Sequence, residues 1–381
     1  MRRAFPIALL ALAVAQAACV ARGVSGRPAE APGDLFHRAW TVPLETAGEV
    51  QLEAAPGGFV VASPAGKIHL VTAANGSVAW RTDFGASIAG AVVVAAPGSV
   101  PTTESAPAAD GAWVAAPVEG DAVAVARIGS PDPPRLLKTG LRSVVLSAVG
   151  ANLFIHSIEG GAALVSLADG NPIWKRRLPP AAGVQSVVCG DRLLVGCADG
   201  HLLGVEIASG KIAWGKQLGS PLAAAPACAE NHALAATADN VLHALRLHRR
   251  SAGIMWRTRS GADPAAPPLF VGRQALLISK DTFLYGFGGG NGHLAFRARL
   301  NRRPGPAALL KDLLLIAGPH ATRLDAIQLP AGRSAGGFDL PEGTRFITPP
   351  IVSEGKVAIA FARYGEEACR LVALAAGGGS G

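Results

Sequence analysis

The stretch VTAANGSVAW, residues 71–80, decides the fold. A short apolar run leads into a small polar turn, and Gly76 stands four residues before Trp80. Similar stretches recur as SLADGNPIW ending at Trp174, VEIASGKIAW at Trp214, LHRRSAGIMW at Trp256 and GFGGGNGHLAF at Phe296. From Trp174 onward these aromatics, with Phe338 as the next one, recur at a nearly constant interval. A fixed period of roughly 40 residues predicts a β-propeller with four strands per blade.

Composition favours an all-β chain. Of 381 residues, 50% are apolar and 16% are charged, and 47 glycines with 28 prolines supply many turns. Short apolar runs broken by Gly, Asp, Asn and Pro are typical of many strands joined by tight turns. The length would allow two or three domains, but regular repeats favour one closed array.

Eight units can be traced along the chain. The fourth is the most regular, with strands predicted at residues 184–189, 192–197, 201–207 and 211–218 and Asp- or Gly-containing turns between them. The second is irregular, because residues 96–112 form a long polar insertion and the position of its aromatic is taken by Leu137. If the second unit fails to form, seven blades are the alternative.

The two ends of the chain predict how the ring closes. The C-terminal unit has only three strands, and the missing outer strand is available at residues 34–44, where Trp40 precedes Trp80 by one repeat period. An N-terminal strand that completes the last blade removes the open sheet edges. The aromatic positions are predicted to fill the wedges between blades, with each indole N–H bound to a facing carbonyl; they are Trp40, Trp80, Trp174, Trp214, Trp256, Phe296 and Phe338.

The N-terminus predicts export. Residues 1–18 have two arginines, a short apolar run and small residues, which is the pattern of a secretory signal peptide. Cys19 follows Ala17-Ala18 as in a lipobox, where the cysteine is lipidated, although Gln16 departs from that pattern. We expect an anchor at Cys19 on the periplasmic side of the outer membrane; cleavage after Ala17, giving a soluble periplasmic protein, is the alternative.

The predicted domain organisation follows from these signals. Residues 19–33 are the lipidated cysteine and a flexible tether, and residues 34–379 are a single propeller. The formal net charge is +8, which predicts either a basic rim that meets an acidic surface or ordinary solvated loop charge. Because the chain carries an export signal, nucleic acid is not an expected partner.

Cysteines and histidines give no reaction chemistry. Cys189 and Cys228 hold similar positions in neighbouring repeats, so an inter-blade disulfide and two small buried residues are both open interpretations, as they are for Cys197 and Cys369. His69 and His243 share a repeat position with Tyr285 and Leu203, which indicates packing. No HExxH or P-loop motif occurs, so we expect no catalytic residue, metal or cofactor.

The repeat has a family signature. An apolar strand, an Asn/Asp/Ser-Gly turn and a tryptophan resemble the PQQ-type propeller repeat, AxDxxTGxxxW, at Asn75-Gly76-Trp80, Asp169-Gly170-Trp174 and Ser209-Gly210-Trp214. With the export signal, the lipobox-like cysteine and eight units, the chain is similar to the BamB family of outer-membrane assembly factors. The resemblance implies a non-enzymatic, lipid-anchored scaffold, a monomer within the β-barrel assembly machinery, that binds the barrel subunit's periplasmic domains and unfolded outer-membrane proteins.

The resemblance also implies where partners bind. The family uses loops on one face, including the connection between its third and fourth blades, here residues 178–185, which is short and lacks the family's Leu- and Arg-containing motif. The candidate contacts at the two ends of this connection are Arg176, Arg177, Val184 and Gln185.

Two other functions remain open. One is a periplasmic PQQ-repeat binding module that serves another envelope complex, such as a sensor or a secretion system. The other, least favoured, is a PQQ-dependent dehydrogenase, whose family resembles larger propellers with calcium and a disulfide between adjacent cysteines. This chain has no adjacent cysteines and no CxxCH haem motif.

The anchor can be tested by one substitution. Cys19→Ala removes the sulfur to which the lipid would be attached. Without acyl chains to hold it in the bilayer, the protein should move from the membrane fraction to the soluble periplasm. Fractionation followed by immunoblotting measures this. Unchanged retention in the membrane would contradict lipidation at Cys19.

Overall fold

The computed structural model describes residues 35–47, 49–96, 111–300, 304–318, 320–366 and 368–377. Within these ranges the only regular elements are β-strands, 33 in number, and they form eight antiparallel sheets of four or five strands. The prediction of an all-β, eight-bladed propeller is therefore confirmed. The second unit does form a sheet, so the alternative of seven blades is wrong.

The strands are numbered in chain order and grouped by blade. Blade 1 contains β2 (Gln51–Ala55), β3 (Gly58–Ala62), β4 (Lys67–Thr72) and β5 (Val78–Asp83); blade 2 contains β6 (Val93–Ala95), β7 (Trp113–Val118), β8 (Ala122–Arg127) and β9 (Arg135–Leu137); blade 3 contains β10 (Val144–Val149), β11 (Asn152–Ser157), β12 (Ala162–Ser166) and β13 (Pro172–Arg176); blade 4 contains β14 (Val187–Cys189), β15 (Arg192–Gly196), β16 (His201–Glu206) and β17 (Ile212–Gln217).

The remaining blades follow in the same order. Blade 5 contains β18 (Ala227–Ala229), β19 (His232–Ala236), β20 (Val241–His248) and β21 (Ser251–Arg259); blade 6 contains β22 (Leu269–Val271), β23 (Gln274–Ser279), β24 (Phe283–Gly288) and β25 (Leu294–Arg299); blade 7 contains β26 (Ala307–Leu310), β27 (Leu313–Ile316), β28 (Arg323–Gln328) and β29 (Arg333–Asp339); blade 8 contains β30 (Thr344–Phe346), β31 (Ile351–Ser353), β32 (Lys356–Arg363), β33 (Ala368–Ala376) and β1 (Phe36–Ala47).

Each blade runs from its innermost strand, A, to its outermost strand, D, and this order gives the molecule two faces. Because neighbouring strands are antiparallel, the turns between B and C lie on the same side as the connections from D to the next A strand. We call this side the connection face. The turns between A and B and between C and D lie on the opposite side, which we call the turn face.

The first strand closes the ring. In blade 8, β1 pairs with β33 from Phe36 opposite Ala376 to Ala47 opposite Ala368, so the N-terminal strand supplies the missing D strand, as predicted. The buried core is divided into eight clusters, one at each interface between neighbouring blades. The cluster between blades 8 and 1 contains Leu52 and Leu371.

A repeated contact joins successive blades. The ring of Trp40, on the D strand of blade 8, lies against Gly76 in the C–D turn of blade 1, and its Nε1 donates to the carbonyl of Ala73 at 3.0 Å. The same contact joins Trp174 to Gly210. Gly210 has a φ of +69°, and a Cβ there would lie 2.6 Å from the ring of Trp174. Only glycine accepts both this φ and this approach.

Blade 2 uses an aliphatic side chain at the same place. A Cβ on Gly170 of blade 3 would lie 3.0 Å from Leu137, so Leu137 fills the space that a tryptophan fills elsewhere.

Blade 7 requires a correction. A β-bulge directly precedes the aromatic in blades 1, 3, 4, 5, 6 and 8. In blade 7 the bulge falls between Ser334 and Gly336. Gly336 therefore occupies the aromatic position, one repeat period after Phe296. Phe338 lies two residues later and packs against the cluster of blades 7 and 8.

Two other features differ from the sequence pattern. The Pro- and Ala-rich segments precede the A strands rather than form them, because proline has no N–H for the ladder; β22, for example, begins at Leu269, after Pro267-Pro268. In blade 5, Gly253 is part of a longer C–D hairpin, paired with Arg246, and not a turn glycine against a neighbouring tryptophan.

A disulfide joins blades 4 and 5. Cys189 at the end of β14 is bonded to Cys228 in β18, with their Cα atoms 5.8 Å apart. The sequence alone did not decide between this disulfide and two buried cysteines without a bond. Cys197 and Cys369 are buried and do not belong to this disulfide.

The turn glycines can be tested with a matched pair. Gly210→Ala should lower the free energy of unfolding by at least about 2 kcal/mol, because it adds a Cβ at positive φ against the ring of Trp174. Gly253→Ala should change it by less than about 0.5 kcal/mol, because nothing lies within 4 Å of that position. Denaturant unfolding measures both variants; equal effects would contradict the assigned repeat position.

Candidate functional site

A cavity opens on the connection face beside blade 3. Its volume is about 890 Å³, and its walls are Leu141, Glu159, Gly160, Gly161, Ala162, Lys175, Arg176, Arg177, Leu178, Pro179 and Pro180. Most of these residues belong to blade 3, in its B–C turn and in β12 and β13, and the others belong to the connections before and after this blade. The cavity is thus built from blade 3 and its two flanking connections.

Backbone hydrogen bonds fix this junction. The N–H of Gly161 donates to the carbonyl of Leu178 at 3.0 Å, and the N–H of Ala181 donates to that of Ser157 at 3.0 Å. The side chain of His156, which is only 2% exposed, makes a 2.8 Å hydrogen bond through Nε2 with the carbonyl of Pro179. Burial lowers the pKa of His156, so this ring is neutral near pH 7. The connection therefore lies on a preformed support.

The charge of the cavity is mainly positive. Lys175, Arg176 and Arg177 are all exposed, and Glu159 is the acidic side chain among the lining residues. The Nζ of Lys175 donates to the carbonyl of Thr139 at 3.2 Å. Across the described part of the chain, none of these three cations forms an ion pair, whereas Arg142 and Arg259 on the same face do. The Nη1 of Arg176 donates to the carbonyl of Lys175 at 3.0 Å, and the remaining donors of the two exposed guanidinium groups can bind an anionic partner.

The predicted contact residues separate into two groups. Arg176 and Arg177 line the cavity. Val184 and Gln185 lie further along the connection, are half-buried and are not among the lining residues; Val184 packs against the core cluster of blades 4 and 5. Sequence reasoning missed Glu159 and the Gly160-Gly161 turn, although two successive glycines between predicted strands were the available signal.

Two further titratable groups have a pKa that burial changes. His243 is 2% exposed, and burial lowers its pKa. Glu53, half-buried on the innermost strand of blade 1, has its pKa raised to about 7 because burial disfavours its charged form. Among the described residues there is no group of three or more His, Cys, Asp or Glu side chains placed to hold a metal ion.

Comparisons with known proteins agree with this architecture. A family model described as outer membrane protein assembly factor BamB matches residues 159–302. The crystal structure of BamB from Moraxella catarrhalis superposes with a TM-score of 0.66 at 12% identity, covering 88% of this chain and 99% of that one. This chain is a PQQ-type β-propeller that resembles BamB. The region matched by the family model includes the cavity's B–C turn and the connection to blade 4.

Other propellers share the fold of this PQQ-type chain. The computationally designed Ika8 protein matches with a TM-score of 0.66 at 13% identity, covering 89% of this chain and 99% of that one. Sqt1 from Saccharomyces cerevisiae matches with a TM-score of 0.69 at 9% identity, covering 90% and 100%. No curated protein matches by sequence. In the described ranges no helix is long and apolar enough to cross a membrane.

The carboxyl of Glu53 predicts a pH-dependent stability. Its pKa is higher in the folded chain than in the unfolded chain, so the free energy of unfolding falls as the pH rises from about 4.5 through 7. The side chain of the Glu53→Gln variant cannot ionise. The free energy of unfolding of this variant, relative to that of the wild type, should therefore rise by about 1–3 kcal/mol between pH 5 and pH 8. Denaturant unfolding at both pH values measures this, with the exposed Glu159→Gln as control; equal behaviour of the two variants would contradict it.

Proposed function

We propose that this chain is a non-enzymatic scaffold of the outer-membrane β-barrel assembly machinery, anchored by lipid at Cys19 on the periplasmic side of the outer membrane. It binds, as a monomer within the complex, the periplasmic domains of the barrel subunit and also unfolded outer-membrane proteins. The observation that carries this proposal is the basic cavity on the connection face beside blade 3, most of whose lining lies in the region that matches the BamB family model.

The cavity has the properties of a protein-binding surface. Arg176 and Arg177 are exposed cations on a support held by the bonds of Gly161 and His156. An acidic partner segment would meet two exposed guanidinium groups on a backbone that is held before binding, and such charge complementarity raises the rate of association and fixes the orientation. The lining offers cations, one carboxylate and prolines, a composition suited to holding a partner.

Unfolded outer-membrane proteins fit the same face better than the rim of the propeller. A chain that added itself to a D strand would need an unbroken edge. The D strands of seven blades carry a β-bulge, and bulges block the addition of further strands. The loops of the connection face therefore provide the contacts in this proposal.

Charge reversal tests the site. Arg176→Glu combined with Arg177→Glu should lower recovery of the barrel-assembly subunit at least tenfold in a pull-down from detergent-solubilised membranes, because two attractive contacts become repulsive. The control is Arg273→Glu with Arg333→Glu. These two exposed residues lie on the turn face, away from the cavity, so this variant should leave recovery unchanged.

The wild-type pull-down separates the alternatives. Recovery of barrel-assembly subunits supports the proposal. Recovery of a sensor or secretion complex without any barrel-assembly subunit would contradict it and favour a binding module of another envelope system. Equal losses in both charge-reversal variants would show that net charge, and not the cavity, governs binding.

A further inference from the structure

One sector of the turn face is strongly basic. On this face the turns of blades 5, 6 and 7, with the strand ends beside them, carry exposed cations, which are Arg249, Arg250, Arg273, Lys311 and Arg333. The same turns carry two exposed acids, Glu230 and Asp312. We call the group of five cations the turn-face patch.

The rest of the described turn face has a different charge. It carries exposed acids in four other blades, which are Asp132 in blade 2, Asp169 in blade 3, Asp191 in blade 4 and Glu354 in blade 8. Arg127 and Lys211 are exposed cations among them. Positive charge on this face is therefore concentrated in three successive blades.

The cations of the turn-face patch are not paired within the protein. Among the described residues none of the five forms an ion pair. Arg192 on the same face is different, because its Nη1 donates to the carbonyl of His248 at 3.2 Å and its Nε lies 3.8 Å from the carboxylate of Asp191. The patch thus presents exposed charge that an anionic ligand can bind.

The turns that carry the patch contact one another. The Nε2 of Gln274, in blade 6, donates to the carbonyl of Pro330, in blade 7, at 3.2 Å. Arg273 directly precedes Gln274, and Arg333 lies three residues after Pro330. This bond therefore holds the backbone that carries one arginine against the turn that carries the other, so the two cations belong to one continuous surface.

Apolar groups are exposed beside these cations. Leu294, the first residue of β25, is 55% exposed, and Pro330 and Ala331 are exposed in the C–D turn of blade 7. Aliphatic side chains next to basic ones are typical of surfaces that lie at a membrane interface. Arg273 and Arg333 line neither of the two cavities found in the described chain, so the patch is a broad surface and not a groove for one peptide.

We infer that the turn-face patch binds the surface of an anionic lipid bilayer through the phosphates of its headgroups. A guanidinium group donates two parallel hydrogen bonds to a phosphate, which suits the four arginines. Each cation near an anionic bilayer also adds to the attraction, and an extended surface meets cations from three blades at the same time. The patch lies on the face opposite the basic cavity, and the inference does not depend on the proposed function.

Vesicle binding by the full chain tests the inference. The chain carries Cys19→Ala, so that no attached lipid contributes. The probes are vesicles of equal parts phosphatidylglycerol and phosphatidylcholine, and vesicles of phosphatidylcholine alone. At about 0.1 M salt, co-sedimentation should show at least about tenfold tighter binding to the anionic vesicles. At about 1 M salt most of this difference should disappear, because the screening length falls from about 10 Å to about 3 Å.

Two charge-reversal pairs with the same change in net charge separate the faces. Arg273→Glu with Arg333→Glu should weaken binding to the anionic vesicles at least about tenfold. Arg176→Glu with Arg177→Glu should change it less than about twofold, because a strand of five or six residues spans roughly 17–20 Å, more than the screening length at the lower salt. This pattern is the reverse of the one expected for recovery of the barrel-assembly subunit, so the two proposals can fail separately.

A second pair keeps the test decisive if the first does not fold. Arg249→Glu with Arg250→Glu, in the hairpin turn of blade 5, should weaken binding to the anionic vesicles at least about threefold. Equal binding to the two kinds of vesicle would overturn the inference. Equal losses in the pairs of the two faces would also overturn it, since net charge alone would then govern binding. Loss of an acidic protein from the pull-down of the Arg273→Glu with Arg333→Glu variant, with vesicle binding unchanged, would assign the patch to a protein partner instead.

Discussion

The contact between an indole ring and a turn glycine is the constraint on which the ring of blades depends. Each blade is a separate antiparallel sheet, so nothing in its own hydrogen bonds fixes the angle to the next one. The ring of Trp40 on Gly76, with its N–H on the carbonyl of Ala73, sets both distance and orientation across one interface. A side chain at Gly76 would occupy the space of the ring, so the glycine and the tryptophan act as one unit.

Much of the fold was predictable because the glycine and the aromatic residue of this unit recur at a nearly fixed spacing in the sequence. The repeat period indicated the number of blades, and the place of Trp40 indicated the closing strand. Details that depend on a one-residue bulge were not predictable. In blade 7 the bulge shifts the repeat position to Gly336, so the nearby aromatic, Phe338, was assigned in its place. Similarly, Gly253 has the sequence position of a turn glycine but belongs to a strand of a longer hairpin.

The candidate site was predictable only in part, and for a physical reason. Basic residues near the end of blade 3 stand out in sequence, so Arg176 and Arg177 were found. A cavity, however, is formed by surfaces from distant positions, and the approach of Glu159 to the connection depends on backbone bonds such as that from Gly161 to Leu178. The spacing of residues along the chain does not indicate such a bond. Val184, further along the connection, is half-buried and packs against the core cluster of blades 4 and 5.

The two faces now differ in a way that bears on assembly. The first described residue, Leu35, lies on the turn face, where its carbonyl accepts from the N–H of Gly377. The basic cavity with Arg176 opens on the connection face. A partner held there would therefore lie at the opposite end of the strands from Leu35. Each blade is a sheet whose strands run from one face to the other, and the core clusters and the disulfide between Cys189 and Cys228 hold neighbouring blades together, so the two faces stay at a fixed separation.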